Sequence, residues 1–156
     1  MLTNTQFDTL KTDILANATA GGALETAVAI GNDVAVAAYY NALASPAVKI
    51  WLPRVTIDQL NGAVVWTDFV GLTALKQNTY IAMTQAGFVD ASDAQVRSGF
   101  AAAFGAASAS ITAITAMAQR DASRLEALLS TGSGTRVTAV FGYVLMHLDV
   151  ARALRG

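Results

Sequence analysis

Apolar positions near the start of the chain recur at helical spacing. Phe7, Leu10, Ile14 and Leu15 fall at i, i+3, i+7 and i+8, with Asp8, Lys11 and Asp13 off that stripe, which predicts an amphipathic helix. Thr3 and Gln6 stand at capping-box spacing and mark its start, and Asn17 to Gly22 ends it. A second helical stretch covers Ala23 to Ile30 and stops at Gly31. Asn32 or Asp33 caps a third, running through Val34, Ala38 and Leu43 to Ser45. Pro46 closes it, because the residue before a proline is pushed out of the helical region. Val48 to Leu52 alternates and reads as a short extended segment ended by Pro53.

Thr56 and Gln59 repeat the capping-box spacing and open a short helix through Leu60. Gly62 to Val70 reads as a connection containing Trp66. Leu72 to Ala86 is helical, with Leu72, Leu75, Ile81 and Met83 as candidate core and Gly87 as its stop. Asp90 or Ser92 starts the next helix, in which Val96, Phe100, Ala103 and Phe104 keep the helical period. Beyond Gly105 the pattern predicts the longest helix, Ala107 to Leu129, lined by Ile111, Ile114, Met117, Ala118, Leu125 and Leu128. Gly132 to Gly134 is a turn. Thr135 to Met146, rich in Val, Thr, Phe and Tyr, alternates as one strand with a bend at Gly142. Asp149 then helps to start a short last helix, Val150 to Leu154.

The sum is a mainly α fold: one domain over 1–156, a bundle of five to seven helices with one or two short β segments. A proline-bounded segment near 46–55 and a strand near 135–146 stand out from the helices. No βαβ alternation and no 20–50 residue repeat is visible. The late strand has at best Val48–Leu52 as an internal partner, so its remaining backbone groups are left for water or another copy.

Composition narrows the possibilities. Apolar residues make up 54% of the chain and charged residues 13%, the latter about half the usual share, which excludes general disorder. A net charge of -1 argues against binding nucleic acid by neutralising phosphates. With no cysteine and one histidine, His147, disulfides, thiolate zinc sites and multi-histidine metal sites are excluded. No cofactor is implied. The first residues lack the basic and apolar regions of a signal peptide, which leads to an expectation of cytosolic synthesis. Ser98 to Gln119 carries no charge, but its Ala, Gly, Ser and Thr content suits close-packed helices rather than a membrane span.

Candidate chemistry is thin. Thr131-Gly132-Ser133-Gly134-Thr135 lacks the lysine and following helix of a phosphate-binding loop and reads as a turn. His147 beside Asp149 has no nucleophile elbow to serve. Asp90 with Asp93 suits a helix start, and Asp8 with Asp13 a solvated helix face. The Tyr39-Tyr40 pair reads as core packing. Trp51, next to Lys49 and Arg54, is the better partner contact, with Trp66 as a second large anchor. Arg120 and Arg124 share a face of the expected long helix, with Asp121 and Glu126 nearby. Phe141 and Tyr143 lie on the expected strand and join them as candidate interface residues. Residues 1–96 hold four basic and eight acidic side chains and residues 97–156 six and three, which suits head-to-tail contact between copies unless folding interleaves the halves.

So few charges leave much of the exterior to Ala, Thr, Ser, Gly and Val. Burying about 800 Å² per copy, half of it apolar, would contribute roughly 10 kcal/mol gross. A homo-oligomer, or a part of a larger assembly, is therefore expected.

Several stretches carry a resemblance. They are Leu2 to Ile14 (Leu-Thr-x-x-Gln-x-x-x-Leu-Lys-x-Asp-Ile), Ala37-Ala38-Tyr39-Tyr40-Asn41-Ala42, Ser45-Pro46 and Trp51. Arg97, Arg120 with Arg124 and Glu126, Thr131 to Thr135, and Asp149-Val150 complete the set. In these the chain resembles small virion proteins of tailed bacteriophages encoded among head and neck genes. The resemblance implies a non-enzymatic head-to-tail adaptor that forms a ring, twelvefold by analogy, beneath the portal protein and joins it to tail or neck proteins. It implies location in the virion neck, passing contact with phage DNA, and no membrane. A capsid decoration or tail-terminator protein is the alternative within the particle; a small enzyme such as a lysin, or a regulatory helical protein, lies outside it.

Overall fold

The computed structural model describes residues Met1–Gly156 and is mainly α, with ten helices and a few short strands. Chain length led to an expectation of one domain; the contacts cluster into two compact units. Unit 1 comprises Met1–Ile50 and Asp121–Gly156, and unit 2 comprises Trp51–Arg120. Ten helices replace the expected five to seven because several long patterns are interrupted. No helix is long and apolar enough to cross a membrane.

Unit 1 opens with α1 (Asn4–Asn17), started by the Thr3–Gln6 capping box and burying Phe7, Leu10 and Ile14. Leu15, the fourth member of the expected stripe, stays half exposed. Then come α2 (Glu25–Ala29) and α3 (Asp33–Asn41), the latter capped by Asn32. α3 ends at Asn41 rather than Ser45, and its buried face is Val36, Ala37 and Tyr40. Val34 lies off the buried Val36–Ala37–Tyr40 face of α3, and Leu43 points outward beyond Ala42, where the backbone turns extended and Leu43 bridges to Ser123. The chain leaves through β1 (Lys49–Trp51), which pairs with β4 (Gln119–Asp121) where it returns.

The expected helix Ala107–Leu129 is therefore three elements. α8 (Ala109–Met117) stops at Ala118, β4 follows, and α9 (Arg124–Leu128) restarts behind a second cap. Ser123 accepts from the Glu126 amide while the Glu126 carboxylate accepts from the Ser123 amide, a capping box that the surrounding Ala-rich run concealed.

The expected strand Thr135–Met146 shrinks to β6 (Val137–Thr138), paired antiparallel with β5 (Ser130–Thr131) across the Gly132–Gly134 turn. Arg136 makes a single parallel bridge to Ile50. The strand stops because the backbone turns over Ala139–Gly142, where Gly142 takes φ +67°, open to glycine and costly for other residues. The segment beyond is held by side chains. Asn41 donates to the Leu145 carbonyl at 2.9 Å and accepts from its amide at 2.8 Å. α10 (His147–Arg155) then buries Val150 and Ala153 against α3 and α1. The unit 1 core runs through Leu10, Ile14, Val36, Tyr40, Leu125, Leu145 and Val150.

Unit 2 holds β2 (Val55–Thr56), α4 (Ile57–Ala63), α5 (Trp66–Val70), α6 (Ala74–Thr84), β3 (Phe88–Val89), α7 (Ala94–Phe104) and α8. The Thr56–Gln59 capping box starts α4 as expected, and β2 pairs antiparallel with β3. The expected connection 62–70 contains a short helix. In α6 the buried positions are Tyr80 and Thr84; of the expected core residues Leu72 and Met83 pack against the unit 2 core, while Leu75 and Ile81 are exposed. Tyr80 sets the buried face: its ring packs against Phe69, Phe100 and Phe104, and its hydroxyl donates to Asn61 at 2.8 Å. α7 buries Phe100, Ala103 and Phe104 and ends at Gly105, φ +88°.

The two ends of unit 2 are neighbours, since the Leu52 amide donates to the Ala118 carbonyl at 2.9 Å. On the unit 1 side the Ala122 amide donates to the Val48 carbonyl at 2.8 Å, and Lys49 pairs with Asp121 at 3.0 Å. Because unit 1 takes both ends of the chain, the charge segregation of the linear sequence disappears. Unit 1 carries six basic and seven acidic side chains and unit 2 four of each.

Asn41→Ala should lower unfolding free energy by about 1–3 kcal/mol in urea, since it frees both backbone groups of buried Leu145. Val36→Ala should cost about 2 kcal/mol, while Val34→Ser on the same helix should stay within about 0.5 kcal/mol.

Candidate functional site

Helix α3 places Tyr39 and Tyr40 side by side, their rings edge to face at 5.2 Å. Tyr40 points inward and its hydroxyl donates to Asp13 Oδ2 at 2.5 Å; Asn17 also donates to that oxygen, at 3.1 Å. Asp13 is thus a partner of the unit 1 core, not a solvated charge. Burial, then the neighbouring Asp13 carboxylate, raises the Tyr40 pKa far above the usual tyrosine value. Such a hydroxyl stays protonated near pH 7 and holds the Asp13 carboxylate against α3. Tyr39 faces a concavity with Arg124 and Arg136. The Arg124 guanidinium lies 4.3 Å from the Tyr39 ring centre and donates to the Tyr39 carbonyl at 3.0 Å.

Arg120 and Arg124 do not share a helix face: Arg120 lies in β4 and Arg124 opens α9. Phe141 lies in the turn after β6, partly exposed. Tyr143 packs on the unit 1 core and its hydroxyl donates to Asp149 Oδ2 at 2.9 Å. Burial and the Asp149 carboxylate raise its pKa as well. Asp149 accepts from the Met146 amide at 3.0 Å and so helps to start α10, while His147 stays exposed.

Unit 2 arranges the other candidates along aromatic contacts. Trp66 is 53% exposed, and its ring meets Phe69 at 5.3 Å; Phe69 meets buried Tyr80 at 5.5 Å. An exposed tryptophan is thereby fixed to the core through two rings. Arg54 covers the Phe88 ring at 3.9 Å. Trp51 is half-buried and packs on its own unit's core, with the Arg97 guanidinium 4.7 Å from the indole. Asp68 accepts from the amide of buried Ser110 at 2.9 Å and from its hydroxyl at 2.8 Å, tying α5 to α8.

The candidate residues therefore separate into two sets, with Arg124, Phe141 and Tyr143 in unit 1 and Trp51, Arg54, Trp66 and Arg120 in unit 2. Four residues with strong roles escaped the sequence pattern: Asp13, Asp68, Glu126 and, beyond its place in the resemblance, Arg97. Of these only Glu126 had a legible signal, its spacing from Ser123. His, Asp and Glu side chains nowhere gather in a group of three that could hold a metal ion. No protein-family model matches the chain, and no curated protein or solved structure matches it.

Free tyrosine titrates near pH 10. A folded-state pKa raised above that value contributes stability that is present below about pH 10 and lost as pH rises through the folded value. Thermal melts from pH 8 to 11 should therefore show falling stability. Tyr40→Phe should melt lower at pH 8 and lose less between pH 9 and 11, with Tyr80 and Tyr143 retaining part of the slope.

Proposed function

We propose that this chain is a structural virion protein, a head-to-tail adaptor that assembles with copies of itself into a ring beneath the portal of a tailed bacteriophage. The reading assigns it no catalytic role. The observation that carries its structural part is the placement of large apolar side chains on the outside of a weakly charged chain. In unit 2, Trp66, Val70 and Leu75 come from one run of chain and are 53%, 74% and 77% exposed. In unit 1, Val144, Met146 and Leu148 form a second run, each more than half exposed. Single exposed apolar residues are ordinary, but successive ones on short segments suit a surface that another protein covers.

The phage assignment itself is supported by the resemblance, whose residues extend from Leu2 to Val150. Several of them hold unit 1 together: Tyr40 reaches Asp13, Arg124 covers Tyr39, and Glu126 caps α9. The same geometry would serve a decoration or terminator protein, and location in the particle separates the three.

Purified protein should sediment as an oligomer, and particle images should place it in the collar below the portal at a copy number matching the ring. A stable monomer at high concentration, or density on the shell or at the tail end, overturns the adaptor reading. Trp66→Ser with Leu75→Ser should weaken assembly by about tenfold or more, with little change in melting temperature of the dissociated chain. Equal assembly by the double variant would remove that surface from the interface.

A further inference from the structure

Unit 2 holds a partly open apolar cavity of about 210 Å³ between α4, α7 and α8, and Trp51 and Arg97 belong to its wall. Protein interiors close-pack and hold few voids larger than a water molecule. An apolar cavity of about 150 Å³ stays dry and takes up benzene. The volume here exceeds that by room for a short substituent. Leu60, Phe100, Ile111 and Ile114 supply aliphatic and aromatic wall, so water finds few partners inside.

One lining residue is ionisable, Arg97. It is fixed in place: its Nη1 donates to the Ala91 carbonyl at 2.7 Å and to the Ser92 carbonyl at 2.8 Å, and its plane lies by the Trp51 indole. Both hydrogen bonds use the same nitrogen, which leaves Nη2 and Nε as donors. Nearby acids in the chain are committed elsewhere. Asp90 accepts from the Ser92 amide and hydroxyl, and Asp93 caps α7 through the Gln95 amide. A half-buried guanidinium with neutral partners, set in an apolar wall, keeps donors that suit a carboxylate.

We propose that this cavity binds a small amphiphilic anion, with an apolar body of roughly six carbons in the void and a carboxylate head on Arg97. The volume selects the body and the arginine's positive charge selects the head. A neutral hydrocarbon fills the void and leaves the arginine as it was, and a hydrophilic anion leaves the void empty. The site stands apart from the adaptor reading, which places no small molecule in the chain.

The test uses full-length protein carrying Trp66→Phe, so that Trp51 is the remaining indole, titrated with hexanoate and with 1-hexanol. Hexanoate should change the Trp51 emission saturably at one per chain, about tenfold more tightly than 1-hexanol. Arg97→Gln should remove that preference while 1-hexanol binding holds within about twofold. Ala101→Leu, or Thr115→Leu should the first fail to fold by circular dichroism, should block both probes.

Four results overturn the proposal. They are no saturable binding of hexanoate up to about 1 mM, equal affinity for both probes, an unchanged preference in Arg97→Gln, and uptake that falls as protein concentration rises. The last would mean that a second copy already fills the cavity.

Discussion

Unit 1 depends on one buried carboxylate. Glu126 is 2% exposed, and its two oxygens hold separate pieces of backbone. One accepts from the Ser123 amide and starts α9 where the chain returns from unit 2; the other accepts from the Gly142 amide at 2.7 Å. A returning chain has no covalent reason to resume helix at residue 124, and the cap supplies one. The same side chain fixes the turn that ends β6 and sends the polypeptide toward Leu145, where Asn41 takes over. A charged group in this position is tolerable because its lone pairs face amide donors. An alanine there would strip the Ser123 and Gly142 amides of this acceptor and leave only the Ser123 half of the capping box.

Much of the local structure was legible because its causes are local. Thr3 with Gln6 and Thr56 with Gln59 started helices as their spacing required, Gly105 separated α7 from α8, and Phe100, Ala103 and Phe104 went inside. Failures occurred where distant residues decided the outcome. The run 107–129 has uniform helical propensity, yet its centre is strand because β1 offers a partner from residues far away in sequence. In α6 the aliphatic positions Leu75 and Ile81 lost the core to Tyr80, which periodicity cannot rank above them: three aromatic neighbours come from other elements. The alternation in 135–146 was real, but a strand needs a neighbour, and Asn41 and Glu126 satisfy that backbone with side chains instead. Of the candidate site residues, aromatic and arginine type marked Trp66 and Arg124 as contact makers. Type alone could not tell that Arg124 covers Tyr39 within its own unit, or that Trp51 carries Arg97.

Few of the chain's carboxylates are idle. Asp13, Asp68, Glu126 and Asp149 accept hydrogen bonds from side chains or amides within the fold, and Glu25, Asp90 and Asp93 hold turn or cap amides. Asp33 and Asp121 pair with Arg155 and Lys49. Carboxylates in this protein mostly organise backbone, a different task from keeping a surface wet. Exposed carboxylates such as Asp8, Glu25, Asp58, Asp90 and Asp93 share hydration with Thr, Ser, Asn, Gln and the cations, while Trp66, Val70, Leu75 and Leu148 stand among them. Part of this exposed apolar surface gathers in the runs 66–75 and 144–148, and the rest, Ile30, Val34, Leu43 and Ile81 among it, is scattered.

Chain order adds a mechanical point. The polypeptide departs from unit 1 beside the place where it comes back, with Val48 bonded to Ala122 and, one step further along, Leu52 to Ala118. An excursion whose two ends touch leaves its host nearly indifferent to what lies between, because loop-closure entropy rises only with the logarithm of length. Changes of length between Leu52 and Ala118 would therefore cost the closure of that excursion little.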